Sequence, residues 1–243
     1  MIESLPHRPA ETLRRPARGW RIDPRHAMLA ALVCWTGFVA MALLVASGRG
    51  AAFDAAGLRI WREGPGLAVP HGPHWLIEAV RDYTALGGAL RHLFAVAAIM
   101  ALLFLKLRRE AVLFGITVIA GLLGEVLLKA VFARPRPTIV PHLMEAAGSS
   151  FPSGHSFNAA IVYIAMALAF AAISPCRSVR WTMIVGAMAL TLLIALSRVW
   201  LGVHYPSDAI AGWLGGAGWA FLASALLYRP ASTVAKDAGA ASL

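Results

Sequence analysis

Charge is what this chain has least of. Asp, Glu, Lys and Arg make up 14% of its 243 residues, against about 25% in a soluble domain. The shortage falls on the acids, 12 against 22 Lys and Arg, for a net charge of +10, while 59% of residues are hydrophobic. That is too little polar surface for a soluble fold, so a bilayer is expected, and the length allows one domain. Cysteine is nearly absent. Cys34 lies in an apolar run and Cys176 in a short loop, which excludes a disulfide framework and the usual zinc spacings. Nor are there clustered carboxylates of the kind that hold Mg²⁺ or Ca²⁺, so neither a metal nor a cofactor is expected. Internal repeats of the transporter kind are missing too. The cations sit in short loops between apolar runs, a topology signal rather than a nucleic-acid footprint. The expected partners are the bilayer and a lipid, with no nucleic acid and no obligate protein.

What is present is a series of long apolar runs. Six are expected to span the membrane: Ala27–Ser47, Ala85–Leu105, Ala111–Val131, His155–Ile173, Trp181–Leu196 and Pro206–Tyr228. Each is too continuous for a barrel strand, and helices satisfy their backbone groups internally. The fold class is therefore all-α, a polytopic six-helix membrane bundle over residues 27–228. It is flanked by a basic tail at 1–26 and a short tail at 229–243. The segment before the first run is too long for a cleaved signal peptide. Between the first two spans, Phe53, Ala56, Gly57, Ile60 and Trp61 share one helical face, and Leu76, Ile77, Val80, Tyr83 and Thr84 another. With the breaker cluster GPGLAVPHGP between them, they predict two short interfacial helices. Those helices either cover the bundle or form part of a lipid access path. The Lys and Arg bias of the short loops favours both termini in the cytoplasm.

Three polar clusters interrupt the apolar pattern. The first, KAVFARPRP, places Lys129, Arg134 and Arg136 where the third span ends, with Pro135 and Pro137 stopping the helix. Glu125, four residues before Lys129, is expected to pair with it, and Arg134 is left as a headgroup contact. The second, FPSGHSF, opens the fourth span. Ser153 supplies a hydroxyl, Gly154 permits close approach to the backbone, and the helix N-terminus favours an anion. The third, SRVWLGVHYPSD, joins spans five and six. Pro206 suits a first helical turn, which turns Asp208 back toward His204, and a carboxylate partner fixes the tautomer and raises the basicity of a histidine. Each cluster alone has a plain structural explanation: snorkelling cations, an N-cap, a helix-dipole partner. Six crossings, however, put all three on one membrane face.

Together they supply the cations Lys129, Arg136 and Arg198, donors at Ser153 and Gly154, and the histidines His155 and His204. Fixed cations and dipoles suit a phosphoryl group, and two histidines can divide attack from proton transfer. These residues resemble the type-2 phosphatidic acid phosphatase (PAP2) superfamily: Lys129 with Arg136-Pro137, then Pro152-Ser153-Gly154-His155, then Ser197-Arg198 with His204 and Asp208. The resemblance implies a six-helix PAP2-type bundle. It implies His204 as nucleophile, Asp208 as its orienting acid and His155 as proton donor, with Lys129, Arg136, Ser153, Gly154 and Arg198 holding the phosphate. It further implies a metal-independent phosphatase of lipid mono- or diphosphates, of the undecaprenyl diphosphate, phosphatidylglycerophosphate, phosphatidic acid or lipid A type. The expected setting is the periplasmic face of a bacterial inner membrane. A lipid phosphotransferase using the same histidine, and a non-enzymatic transporter, are the competing readings.

Overall fold

The computed structural model describes residues 22–174 and 176–227. Most of the basic N-terminal tail, all of the C-terminal tail, and Tyr228 of the sixth expected span lie outside the described residues. The helices are α1 (Pro24–Ala46), α2 (Ala51–Arg59), α3 (Trp75–Ala85), α4 (Leu90–Phe104), α5 (Arg108–Phe132), α6 (Gly154–Ala171), α7 (Arg177–Trp200) and α8 (Pro206–Leu227). Six stretches among the described residues are long and apolar enough to cross a membrane: α1, α3 with α4, α5, α6, α7 and α8. This is a multi-pass membrane protein, and the six-span, all-helical expectation holds. Among the described residues the one strand pairing is a two-residue antiparallel ladder that folds the start of the breaker cluster back, pairing Arg62 with Pro70 and Glu63 with Val69.

Helix α6 forms the centre of the bundle, buried along nearly its whole length, with α5, α7 and α8 packed around it and α1 laid along α8. Small residues on α8 make this possible. A Cβ on Gly212 would fall 2.6 Å from the Ser153 carbonyl oxygen, and one on Gly216 would strike that of Phe157. The bare backbone of α8 thus presses against α6, and their N-termini come to lie side by side. The lipid-facing sides of the outer helices expose Leu29, Leu93, Ile119, Leu127 and Val185, as expected where the solvent is hydrocarbon.

Two helix boundaries beside the site differ from the sequence reading. Helix α4 begins at Leu90 rather than Ala85, because the chain breaks at Gly87–Gly88. There a Cβ would meet the His155 carbonyl oxygen or its Nε2 at 3.3 Å. Helix α7 runs through Trp200 rather than ending at Leu196. Its polar last turn is sheltered by α3, where Ser197 Oγ donates to Ile194 O (2.6 Å) and stands 2.8 Å from Thr84 Oγ1. Both short helices between α1 and α4 are present. Helix α3 packs Leu76, Ile77 and Val80 against Trp200, Leu201 and Val203. Helix α2 is turned the other way. Its buried side chains are Asp54 and Leu58, while Phe53, Gly57, Ile60 and Trp61 line an apolar groove of about 410 Å³ against α7 and α8. Lipid on the outside lets the apolar face look outward and the acid look in.

Candidate active site

Helix α8 begins with one half of a capping box: Asp208 Oδ2 accepts from the Tyr205 backbone N–H at 3.0 Å, and the Ala209 N–H makes the first helical bond to the Tyr205 carbonyl at 3.1 Å. Pro206 occupies the first turn, where no N–H is needed. This local geometry holds Asp208, fully buried, beneath His204, which is 1% exposed. The contact between them is indirect. Nδ1 of His204 stands 3.6 Å from Asp208 Oδ2, beyond hydrogen-bonding distance. Ser150 closes the gap, donating its hydroxyl to Asp208 Oδ2 at 2.5 Å and standing 3.3 Å from Nδ1. On the far side of the ring, Arg136 Nη1 lies 3.1 Å from Nε2. A guanidinium only donates, so Nε2 carries the lone pair and Nδ1 carries the hydrogen, facing Ser150 and Asp208. Burial pushes this ring down to about 4; Asp208 pulls against that shift and the charge of Arg136 adds to it.

All three clusters meet. Arg136 ties the first to the third through His204 and by donating to the Val203 carbonyl at 2.8 Å; it also grips the Ala147 and Gly148 carbonyls at 2.6 and 3.1 Å. Burial lowers its guanidinium from the ordinary arginine value. The first meets the second at Gly154, where a Cβ would fall 2.7 Å from Glu125 Oε1 and 3.1 Å from Lys129 Nζ. Lys129 and Glu125 do pair, at 3.1 Å, with an angle short of a hydrogen bond. The second meets the third where the Ser153 N–H donates to the Asp208 carbonyl at 3.0 Å. Ser153 is fully buried and its Oγ accepts from Ser156 Oγ at 2.9 Å. Arg198, 2% exposed, donates to Thr84 Oγ1 at 3.1 Å and to Met144 Sδ at 3.0 Å. Its Nε has no partner among the described residues. The charges bearing on His155 are those of Arg198, Arg91, His204 and Lys129.

Arg134 is not the headgroup contact expected of it. It is an interior residue: Nη1 meets Asp208 Oδ1 at 2.5 Å, Nη2 meets Asp54 Oδ2 at 2.7 Å, and its guanidinium lies 4.1 Å from the centre of the Tyr205 ring. Burial lowers the Arg134 guanidinium, but Asp208 and Asp54 outweigh it and raise it above the ordinary value. The sequence reading also passed over Asp54, Ser150 and Ser207, and placed Thr84 only on a helix face. Asp54 had a signal, as a lone acid in an apolar helix of an acid-poor chain. Ser150, in a loop, had none.

A family model described as the PAP2 superfamily matches residues 109–231. The chain belongs to the PAP2 superfamily. It is 36% identical over 110 residues to undecaprenyl-diphosphatase BcrC of Bacillus subtilis, covering 42% of this chain and 50% of that one. It is 37% identical over 127 residues to lipid A 1-phosphatase of Rhizobium etli, covering 49% and 50%. It is 33% identical over 140 residues to phosphatidylglycerophosphatase B of Bacillus subtilis, covering 57% and 68%. The chain thus spans about half the length of the first two relatives and two thirds of the third. Among solved structures, the transmembrane PAP2-type phosphatidylglycerolphosphate phosphatase of Bacillus subtilis superposes with a TM-score of 0.71 at 26% identity, over 79% of this chain and 93% of that one. The PAP2 match covers all three clusters, from Lys129 to Asp208.

Proposed function

We propose that this PAP2 protein is a metal-independent membrane phosphatase that hydrolyses lipid mono- or diphosphates through a phosphohistidine on His204. The observation that carries this reading is the state of that ring: Nε2 bears the lone pair and faces the Arg136 guanidinium 3.1 Å away, while Nδ1 is backed by Ser150 and Asp208. A phosphoryl oxygen arriving at Arg136 takes over its donor and brings phosphorus to Nε2. As the P–N bond forms and the P–O bond to the lipid breaks, His155 gives its proton to the departing oxygen. Lys129, Arg198, Ser153 and the Gly154 backbone hold the equatorial oxygens, where charge develops. His155 then takes a proton from water as that water attacks phosphorus. Inorganic phosphate leaves, and His204 is regenerated.

The relatives named above act, by their names, on undecaprenyl diphosphate, lipid A and phosphatidylglycerophosphate, so lipid phosphates are the substrate class. The tails and short loops opposite the site together hold 13 of the 22 Lys and Arg, which supports cytoplasmic termini and a periplasmic site. The deciding experiment is phosphate release by detergent-purified protein from undecaprenyl diphosphate, phosphatidylglycerophosphate, phosphatidic acid and lipid A, with EDTA present and His204→Ala alongside. Release that survives EDTA and vanishes in the variant is expected. Release that requires a divalent ion, or that persists in His204→Ala, refutes the mechanism.

A further inference from the structure

Asp54 takes no part in the steps above, yet it is 1% exposed and heavily bonded. Oδ1 accepts from the Ser207 backbone N–H at 2.9 Å. Oδ2 accepts from Ser207 Oγ at 2.8 Å and from Arg134 Nη2 at 2.7 Å. The other terminal nitrogen of Arg134 donates to Ser207 Oγ at 2.9 Å and to Asp208 Oδ1 at 2.5 Å. One guanidinium therefore joins a carboxylate on α2 to the carboxylate behind His204. Asp54 also caps the first turn of α8 from outside that helix.

Burying two acids around one base is a poor route to stability, because desolvation offsets most of the attraction and apolar replacements often do as well. The arrangement has two chemical consequences. First, a carboxylate held at Oδ1 cannot rotate about its Cβ–Cγ bond, so Oδ2 stays toward Ser150 and the ring. Second, Arg134 paired with Asp208 alone would cancel its charge. With Asp54 added, the group of three carries a net charge of −1, as a ring gaining positive charge at Nδ1 requires. We propose that Asp54 and Arg134 are positioning residues of the His204–Asp208 pair, and that α2 lies against α8 in order to deliver Asp54. This rests on His204 being the nucleophile.

The test uses full-length protein in detergent, with Asp54→Asn, Arg134→Gln and Ser207→Ala. Ser207→Ala is the mildest, since it keeps the backbone bond to Asp54. In the first two, kcat per active site falls about 10- to 100-fold, the usual effect of losing a group that orients a reacting residue. KM and inhibition by orthovanadate change little, because the phosphate-holding cations are untouched. Ser207→Ala loses a smaller part of kcat. The double variant Asp54→Asn with Arg134→Gln is no worse than the poorer single one, because the two act as a unit. The charges acting on the ring are those of Asp208, Arg136 and Arg198, and His155 couples to it. Removing the Asp54 charge therefore moves the acid limb of the pH profile down, and removing the Arg134 charge moves it up.

Rapid quenching of labelled phosphoenzyme separates the possible failures. If the wild type traps phosphohistidine and Asp54→Asn traps it equally fast per active site, with an unmoved acid limb, the positioning role is overturned and the nucleophile stands. A lower melting temperature and fewer active sites, each turning over normally, overturn the positioning role in the same way. If the wild type forms no phosphohistidine and His204→Ala still turns over, both the nucleophile and its positioning fall together.

Discussion

Ser150→Ala isolates the bridge between ring and carboxylate. The hydroxyl is fully buried, 2.5 Å from Asp208 Oδ2 and 3.3 Å from His204 Nδ1, while ring and carboxylate are 3.6 Å apart. A hydrogen bond to a charged group contributes about 1.5–3 kcal/mol. Its loss leaves Oδ2 only the Tyr205 N–H at 3.0 Å. The ring can recover part of this by closing on Oδ2 directly, a movement of a few tenths of an ångström. What is not recovered is felt mainly when Nδ1 becomes positive, in the transition state. At about 1.4 kcal/mol per factor of ten, kcat falls roughly 10- to 100-fold, while KM hardly moves because the phosphate-holding cations are intact. Steady-state phosphate release, with the trapped phosphoenzyme counted to correct for active fraction, measures this. A per-site kcat within threefold of wild type would show that the direct ring–carboxylate contact suffices and that Ser150 is no bridge. A loss confined to KM would place Ser150 in phosphate binding instead.

With burial pushing His204 down to about 4, the ring is neutral and able to attack at any pH well above that. The acid limb of kcat/KM, read across pH 3–8 in stabilising lipid, is therefore expected near 4; a limb near 6.5, the ordinary histidine value, refutes this. The same depression bears on stability. Between about 6.5 and 4 the unfolded ring binds a proton that the native ring refuses, so melting temperature falls as pH drops through that window. Gly154→Ala brings a Cβ to 2.7 Å from Glu125 Oε1 and 3.1 Å from Lys129 Nζ, displacing the lysine. Weaker inhibition by orthovanadate and a raised KM are expected, with unchanged values refuting a phosphate contact by Lys129. His155→Ala should cost much less in phosphoenzyme formation from p-nitrophenyl phosphate, whose leaving group needs no proton, than from an alkyl lipid phosphate. Equal losses on both would remove His155 from the role of acid.

Much of this protein is decided by residues close together in the chain. The scarcity of charge determines a bilayer environment, and the apolar runs determine six crossings, because a helix in hydrocarbon must be apolar and about 20 residues long. Helical spacing alone pairs Glu125 with Lys129, and the first turn of α8 alone returns Asp208 to the Tyr205 N–H beneath His204. Counting crossings brings Lys129, His155 and His204 to one face. Local rules decide nothing further along the chain. Ser150 comes to bridge Asp208 and His204 across 58 and 54 positions of sequence. Asp54 reaches Arg134 across 80 positions and Ser207 across 153. These contacts exist only once α2 and α8 have packed. Even the orientation of α2 was open, since Phe53, Ile60 and Trp61 suit a lipid-side groove as well as a core. In a membrane an apolar face does not mark the inside; the buried partners of Asp54 do, and they are supplied by tertiary structure.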